Sequence, residues 1–213
     1  ANHVLLQEEL ERTIPVIQKI RQTSPDTLIS IDTYKSEVAV QAIEAGANMI
    51  NDISGLTMDK TMPNIAADLG VPIVIMHMQG TPANMQVNPH YEDLILDITS
   101  FFSDQIKLAN TAGIKMERII LDPGIGFGKT IDHNFQLIQN LNEFCKLGYP
   151  ILIGPSRKSF IGTTLDLPPE DRLEGTSAVV TAGIMNGARI VRVHDVKEIK
   201  RVVTITEKIR TAA

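Results

Sequence analysis

Apolar positions along this chain follow two alternating rhythms. Over residues 4–21, Leu6, Leu10, Ile14, Ile17 and Ile20 return at helical spacing until Thr23-Ser24-Pro25-Asp26 breaks the pattern. The run Leu28-Ile29-Ser30-Ile31-Asp32 then predicts a strand. The same alternation continues: a helix over 34–45 stopped by Gly46, a strand over 47–53, a helix over 61–69 and a strand over 71–77. Residues 78–91 carry Gly80, Pro82, Asn84, Asn88 and Pro89 and predict a long mobile loop. Beyond it come a helix over 92–111, a strand closing at Asp122, a helix over 133–147 and a strand over 151–154. A loop carrying Pro168-Pro169 leads into a helix reaching Asn186, then a strand over 190–195 and a last helix over 196–211.

Strand and helix in strict alternation, with nearly continuous apolar strands, predict a parallel sheet covered by helices. Ala45-Gly46-Ala47-Asn48-Met49-Ile50 echoes Asn186-Gly187-Ala188-Arg189-Ile190-Val191, each a glycine stop before a strand. About six strand-helix units follow one unpaired helix. A doubly wound sheet accommodates six, whereas an α/β TIM (β/α)8 barrel fits if the first two units are missing from the chain. The opening Ala1-Asn2-His3-Val4, without an initiator methionine, supports that expectation.

Composition narrows the class. At 213 residues and 43% hydrophobic, the chain predicts one soluble globular domain spanning 1–213, with a core of aliphatic residues because aromatics are only 4%. A net charge of −5 argues against a nucleic-acid partner. No apolar run approaches the ~20 residues of a membrane helix. The lone Cys145 fits a small buried hydrophobe in a reducing compartment, so a cytoplasmic location is expected.

The stretch that organises the chemistry is Ile119-Ile120-Leu121-Asp122-Pro123-Gly124-Ile125-Gly126-Phe127-Gly128-Lys129. A β-branched run ends in a carboxylate, a proline stops strand pairing, and alternating glycines admit close approach. It is not a P-loop, which needs glycine where Pro123 stands, nor a dinucleotide fingerprint, which needs glycine at Lys129.

Other strands also end in polar or distinctive groups: Asp32, Asn51-Asp52, Met76-His77, Ser156-Arg157-Lys158, and Arg192 with His194. Ligand chemistry gathers at the carboxyl ends of parallel strands, so these residues are expected to converge. Each has a plainer reading. Asp32 suits a helix N-cap, His77 a satisfied structural histidine, Arg192 a partner for a structural carboxylate, and Met76 and Phe127 ordinary core. Period two puts Arg192 and His194 on one face, Val191 and Val193 on the other. Together Asp122 and Asn51 suit the amino and ring-NH edge of a flat heterocycle, Met76 and Phe127 its walls, and Lys158, Arg192 and His194 an oxyanion or phosphate.

On these residues the chain resembles the dihydropteroate synthase family. The resemblance spans essentially all 213 residues. It is strongest at residues 122–129, at Gly154-Pro155-Ser156-Arg157-Lys158-Ser159-Phe160-Ile161-Gly162 and at Arg192-Val193-His194-Asp195-Val196. Ser30-Ile31-Asp32-Thr33, the 50–55 segment and Met76-His77-Met78 support it. The resemblance implies an eight-stranded barrel that condenses 4-aminobenzoate with hydroxymethyl-dihydropterin pyrophosphate, with magnesium assistance and in a homodimer. It implies catalytic roles for Asp122, Lys158, Arg192 and His194. Pterin contacts would fall to Asp32, Asn51, Met76, Asp122, Phe127 and Lys158, pyrophosphate contacts to Arg192 and His194, and aminobenzoate or sulfonamide contacts to Phe127, Lys158 and Ser159. No metal ligand is expected in this chain, because the family's asparagine near the magnesium and its arginine-proline loop lie in upstream units absent here. Little turnover is therefore expected from the chain alone. The alternatives are a pterin-binding methyltransferase barrel and an inactive remnant of the synthase.

Overall fold

The computed structural model describes residues 4–212, so the opening Ala1-Asn2-His3 lies outside the described residues. Two compact units divide the chain. The first runs to His77 and resumes over Phe101–Leu121; the second comprises Met78–Ser100 and the chain from Asp122 onward.

In the first unit, α1 (Leu6–Thr23) precedes β1 (Ser30–Asp32), α2 (Ser36–Glu44), β2 (Met49–Asp52), α3 (Met62–Leu69) and β3 (Ile73–Met76). The sheet is completed by β4 (Ile119–Asp122) in the order β1-β2-β3-β4, with β1-β2 and β2-β3 parallel. All four residues of β3 and of β4 are buried, which explains why these strands read as unbroken apolar runs instead of alternating ones. The predicted strands were longer: Leu28 is 84% exposed and lies outside β1. The register pairs Asp32 with Asn51, so the polar ends of two successive strands stand side by side.

The second unit starts with the irregular 78–91 segment and takes in the opening turns of α4 (Leu94–Ala112). Its remaining helices are α5 (Ile131–Gln139), α6 (Leu141–Cys145), α7 (Ser159–Leu165), α8 (Leu173–Met185) and α9 (Val196–Thr211), with the parallel pair β5 (Leu152–Ile153) and β6 (Ile190–Val191). Two predictions need correction here. The helix expected over 133–147 is two helices, because Asn140 leaves helical geometry at φ −110° and ψ 21°. The loop expected from Gly162 to Pro168-Pro169 begins later, because α7 continues through Leu165 and ends at Asp166 in a left-handed conformation that no glycine announces.

Packing fixes the second unit's strands. Val180, Ile184 and Ile199 form a buried cluster against which Val191 and Val193 pack. Gly183 of α8 lies directly on Ile153, and a β-carbon there would collide with it. The period-two expectation therefore holds past the strand: the valines face the helices, while Arg192 and His194 are exposed.

Candidate active site

In the first unit the ends of β1 and β2 carry a polar pair. Asn51 donates from Nδ2 to Asp32 Oδ1 at 2.6 Å. Asn51 is only 7% exposed, and its Oδ1 is buried without a hydrogen-bond partner. A buried acceptor left unpaired costs roughly 1–3 kcal/mol, so a ligand N–H placed there would gain that amount back. The N-cap reading of Asp32 does not hold. Helix α2 is capped instead by Asp59, whose Oδ2 receives the Ser36 N–H at 2.8 Å.

Asp52 is structural. Fully buried, it accepts from Ser54 N (2.8 Å), Ser54 Oγ (2.7 Å) and Leu56 N (2.9 Å), which holds a turn where Leu56 takes φ 69°. Burial pushes its carboxyl up from the usual range despite those donors. His77 is 7% exposed and packs edge-on against Phe101, the ring centroids 5.0 Å apart. Met76, the last residue of β3, is 2% exposed.

In the second unit the glycine loop after β4 wraps around Asp122. Its carboxylate is 7% exposed and receives the Gly124 N–H at 2.8 Å. Burial pushes its pKa up to about 6, against the pull of that N–H and of Lys158, Lys129 and Arg192. Asp122, Lys158 and Arg192 thus act on one another electrostatically. Lys158 is half-buried, lies across Gly126, and sets its ammonium 4.0 Å from the centroid of the Phe127 ring. Burial lowers its pKa, Asp122 raises it, and Arg192 lowers it further. Ser159 is exposed at the start of α7.

Sequence reasoning assigned no role of their own to three contributors. Lys129 is 4% exposed, donates to Phe127 O at 2.9 Å, and is pushed down to about 7 by burial, with Asp122 opposing. Asn134, also buried, accepts from Gly126 N at 2.6 Å and donates to Thr130 O at 2.7 Å, pinning the loop to α5. A signal for that anchor was available: Thr130 and His133 form the capping box that starts α5. The third is Ser156, whose Oγ meets both the backbone N (3.1 Å) and Nδ1 (2.9 Å) of His194. The 78–91 segment also seats on the glycine loop, through Gln86 Nε2 to Gly126 O at 2.6 Å and Tyr91 OH to Gly128 O at 2.8 Å.

Chemically, the second unit offers a shielded carboxylate, a cation over an aromatic ring, and the exposed Arg192 and His194. The first offers a carboxamide with a vacant acceptor beside a carboxylate. Neither is a nucleophile-base pair. Among the described residues no group of three His, Cys, Asp or Glu side chains could hold a metal ion, and no helix is long and apolar enough to cross a membrane.

The family profile described as "Pterin binding enzyme" matches residues 1–194. The dihydropteroate synthase of Synechocystis is 50% identical over 208 residues, covering 97% of this chain and 72% of the relative. That of Haemophilus influenzae is 45% identical, covering 92% of this chain and 70% of its own length. The solved dihydropteroate synthase of Yersinia pestis, in a sulfonamide drug complex, superposes with a TM-score of 0.96 at 43% identity, over 100% of this chain and 76% of that one. The repeated parallel strand-helix order is thus that of the TIM-barrel class. With half its residues shared with one such enzyme and its backbone shared with another, the chain belongs to the pterin-binding enzymes, in the dihydropteroate synthase family.

Proposed function

We propose that this chain carries the dihydropteroate synthase reaction: 4-aminobenzoate displaces pyrophosphate from hydroxymethyl-7,8-dihydropterin pyrophosphate to give 7,8-dihydropteroate. The observation that carries the reading is the buried Asp122 carboxylate, held by Gly124 N and influenced by Lys158, Lys129 and Arg192. An anion shielded from water suits the amino and ring-NH edge of a pterin, because a flat donor edge replaces the lost hydration. Asp32 and Asn51 contribute further polar contacts to the pterin, with Met76 and Phe127 as apolar walls. Phe127, Lys158 and Ser159 border the aminobenzoate, and Arg192 and His194 take the pyrophosphate.

In this reading the carbon-oxygen bond to pyrophosphate breaks as negative charge grows on the leaving oxygens, where Arg192 and His194 stabilise it. Asp122, paired with the pterin's N–H edge, favours the positive charge that develops on the pterin methylene. The neutral aniline nitrogen then attacks that carbon and loses its proton to solvent. The resemblance also implies magnesium. Among the described residues no carboxylate, histidine or cysteine cluster fits it, and no step above is routed through it. A single pterin-binding domain, a homodimer and a cytoplasmic location complete the proposal.

Titrating the protein with pterin pyrophosphate, with the pterin alone and with pyrophosphate tests the assignment, alongside a turnover assay with 4-aminobenzoate. Arg192→Ala is expected to lose affinity for pyrophosphate and to keep affinity for the pterin. Pyrophosphate binding untouched by Arg192→Ala refutes the reading, and favours a pterin-binding barrel that has no use for an anion site.

A further inference from the structure

Beyond β5 and β6 the two segments stay tied residue by residue. The Arg192 N–H donates to Ile153 O at 2.9 Å. Two residues on, the His194 N–H donates to Ser156 Oγ at 3.1 Å, and Nδ1 of the same ring lies 2.9 Å from that oxygen. Next in line, the Arg157 guanidinium grips Asp195 with Nε and a terminal nitrogen, the Nε contact being 3.0 Å. Arg157 itself sits in a left-handed conformation (φ 56°) with its N–H on Thr176 Oγ1 at 3.1 Å, so the turn that presents Ser156 is anchored from α8.

Counting hydrogens at Ser156 decides the state of the imidazole. The serine is 6% exposed, and its hydroxyl has one hydrogen and two lone pairs. The His194 backbone N–H can only donate, so it occupies one lone pair. If Nδ1 also carried a hydrogen, both histidine groups would donate and the buried hydroxyl hydrogen would lack an acceptor, an arrangement costing roughly 1–3 kcal/mol. If the hydroxyl donates to Nδ1, every group is satisfied and the ring's single hydrogen lies on Nε2. The ring is otherwise exposed, which leaves that Nε2–H available to a ligand.

Resting on the assignment of His194 to the pyrophosphate, we infer that Ser156 is a positioning residue: its hydroxyl holds His194 in the Nε2–H tautomer, so that a neutral N–H donor is aimed at a phosphate oxygen. The alternative role for Ser156, a buried hydroxyl that merely ties two loops, predicts no dependence of its effect on the His194 ring. The two roles separate in a double-mutant cycle.

The test combines long-range nitrogen-proton NMR of the histidine rings with pyrophosphate titration of the full chain. The resonances of His194 are assigned by their loss in His194→Ala, since the chain has five histidines. Wild type and Ser156→Thr, which keeps the hydroxyl, are expected to show His194 as Nε2–H, whereas Ser156→Ala populates both tautomers. Ser156→Ala is expected to weaken pyrophosphate about tenfold, roughly 1.4 kcal/mol, and to add nothing in a His194→Ala background. An Nδ1–H tautomer in wild type overturns the inference, as does an equal loss in both backgrounds. If His194→Ala leaves pyrophosphate affinity unchanged, the pyrophosphate assignment fails, while the spectrum still decides whether Ser156 sets the tautomer.

Discussion

The Lys158 ammonium lies 4.0 Å from the centroid of the Phe127 ring, so a cation and an aromatic face arrive as a unit from two separate loops. Such a contact is worth roughly 0.5–2 kcal/mol, the larger figure where water is excluded. Phe127→Leu keeps an apolar side chain and removes the ring face. It is expected to weaken 4-aminobenzoate or sulfonamide binding by about three- to thirtyfold, measured calorimetrically in the presence of pterin and pyrophosphate. Unchanged affinity would mean that the ring does not orient the lysine.

Gly126 makes that arrangement possible. A β-carbon there would stand 2.9 Å from Lys158 Cδ, and the residue's φ of +79° is one that side-chain-bearing residues rarely adopt. Gly126→Ala is expected to displace Lys158 and cost about 1–3 kcal/mol of stability from backbone strain. Its signature is a loss of pterin affinity together with a lower urea midpoint. A variant that loses neither contradicts the close packing described.

Asp52 tests the distinction between building the site and touching the ligand. Asp52→Ala leaves the Ser54 and Leu56 N–H groups buried without their acceptor, a loss of roughly 2–6 kcal/mol from two such groups. Denaturant unfolding should show it, and pterin affinity of the remaining folded protein should change less than threefold. A specific loss of affinity at full stability would return Asp52 to the ligand site.

Burial raises Asp122 to about 6, and the signs follow. The folded state holds its proton more tightly than the unfolded chain, so this residue's contribution to stability is fully present below pH 3.8 and is lost as pH climbs through about 6. Binding runs the other way, because the pterin edge needs the carboxylate. Pterin affinity is expected to fall about tenfold per pH unit below pH 6. The pH profile of affinity, measured with a pterin that does not titrate in this range, checks it; a flat profile from pH 4.5 to 7 would exclude Asp122 as the titrating contact.

The strand-helix order and the acid at the end of β4 were legible because both depend on local signals, an apolar run and a proline-glycine stop. Asp32 and Asn51 were expected only as two of several strand-end groups; that they stand side by side comes from the register of β1 and β2, which no local signal announces. Other features were hidden for physical reasons. The N-cap of α7 is Lys158 with no capping side chain, and its C-cap is Asp166, so neither end carries the usual marks. Lys129 follows three spaced glycines and reads as an exposed loop lysine, although the folded loop buries it. The Ser156–His194 contact joins residues 38 apart in sequence and leaves no trace in composition or period.

The account stands or falls on Asp122 as the pterin anchor, and titration of the pterin into Asp122→Asn at pH 7.5 tests it most directly. The isosteric amide keeps the shape of the side chain and removes the charge. Losing a buried, charge-assisted pair of contacts predicts a drop of about a hundredfold or more, close to 3 kcal/mol. Affinity within threefold of wild type in a folded protein would contradict it.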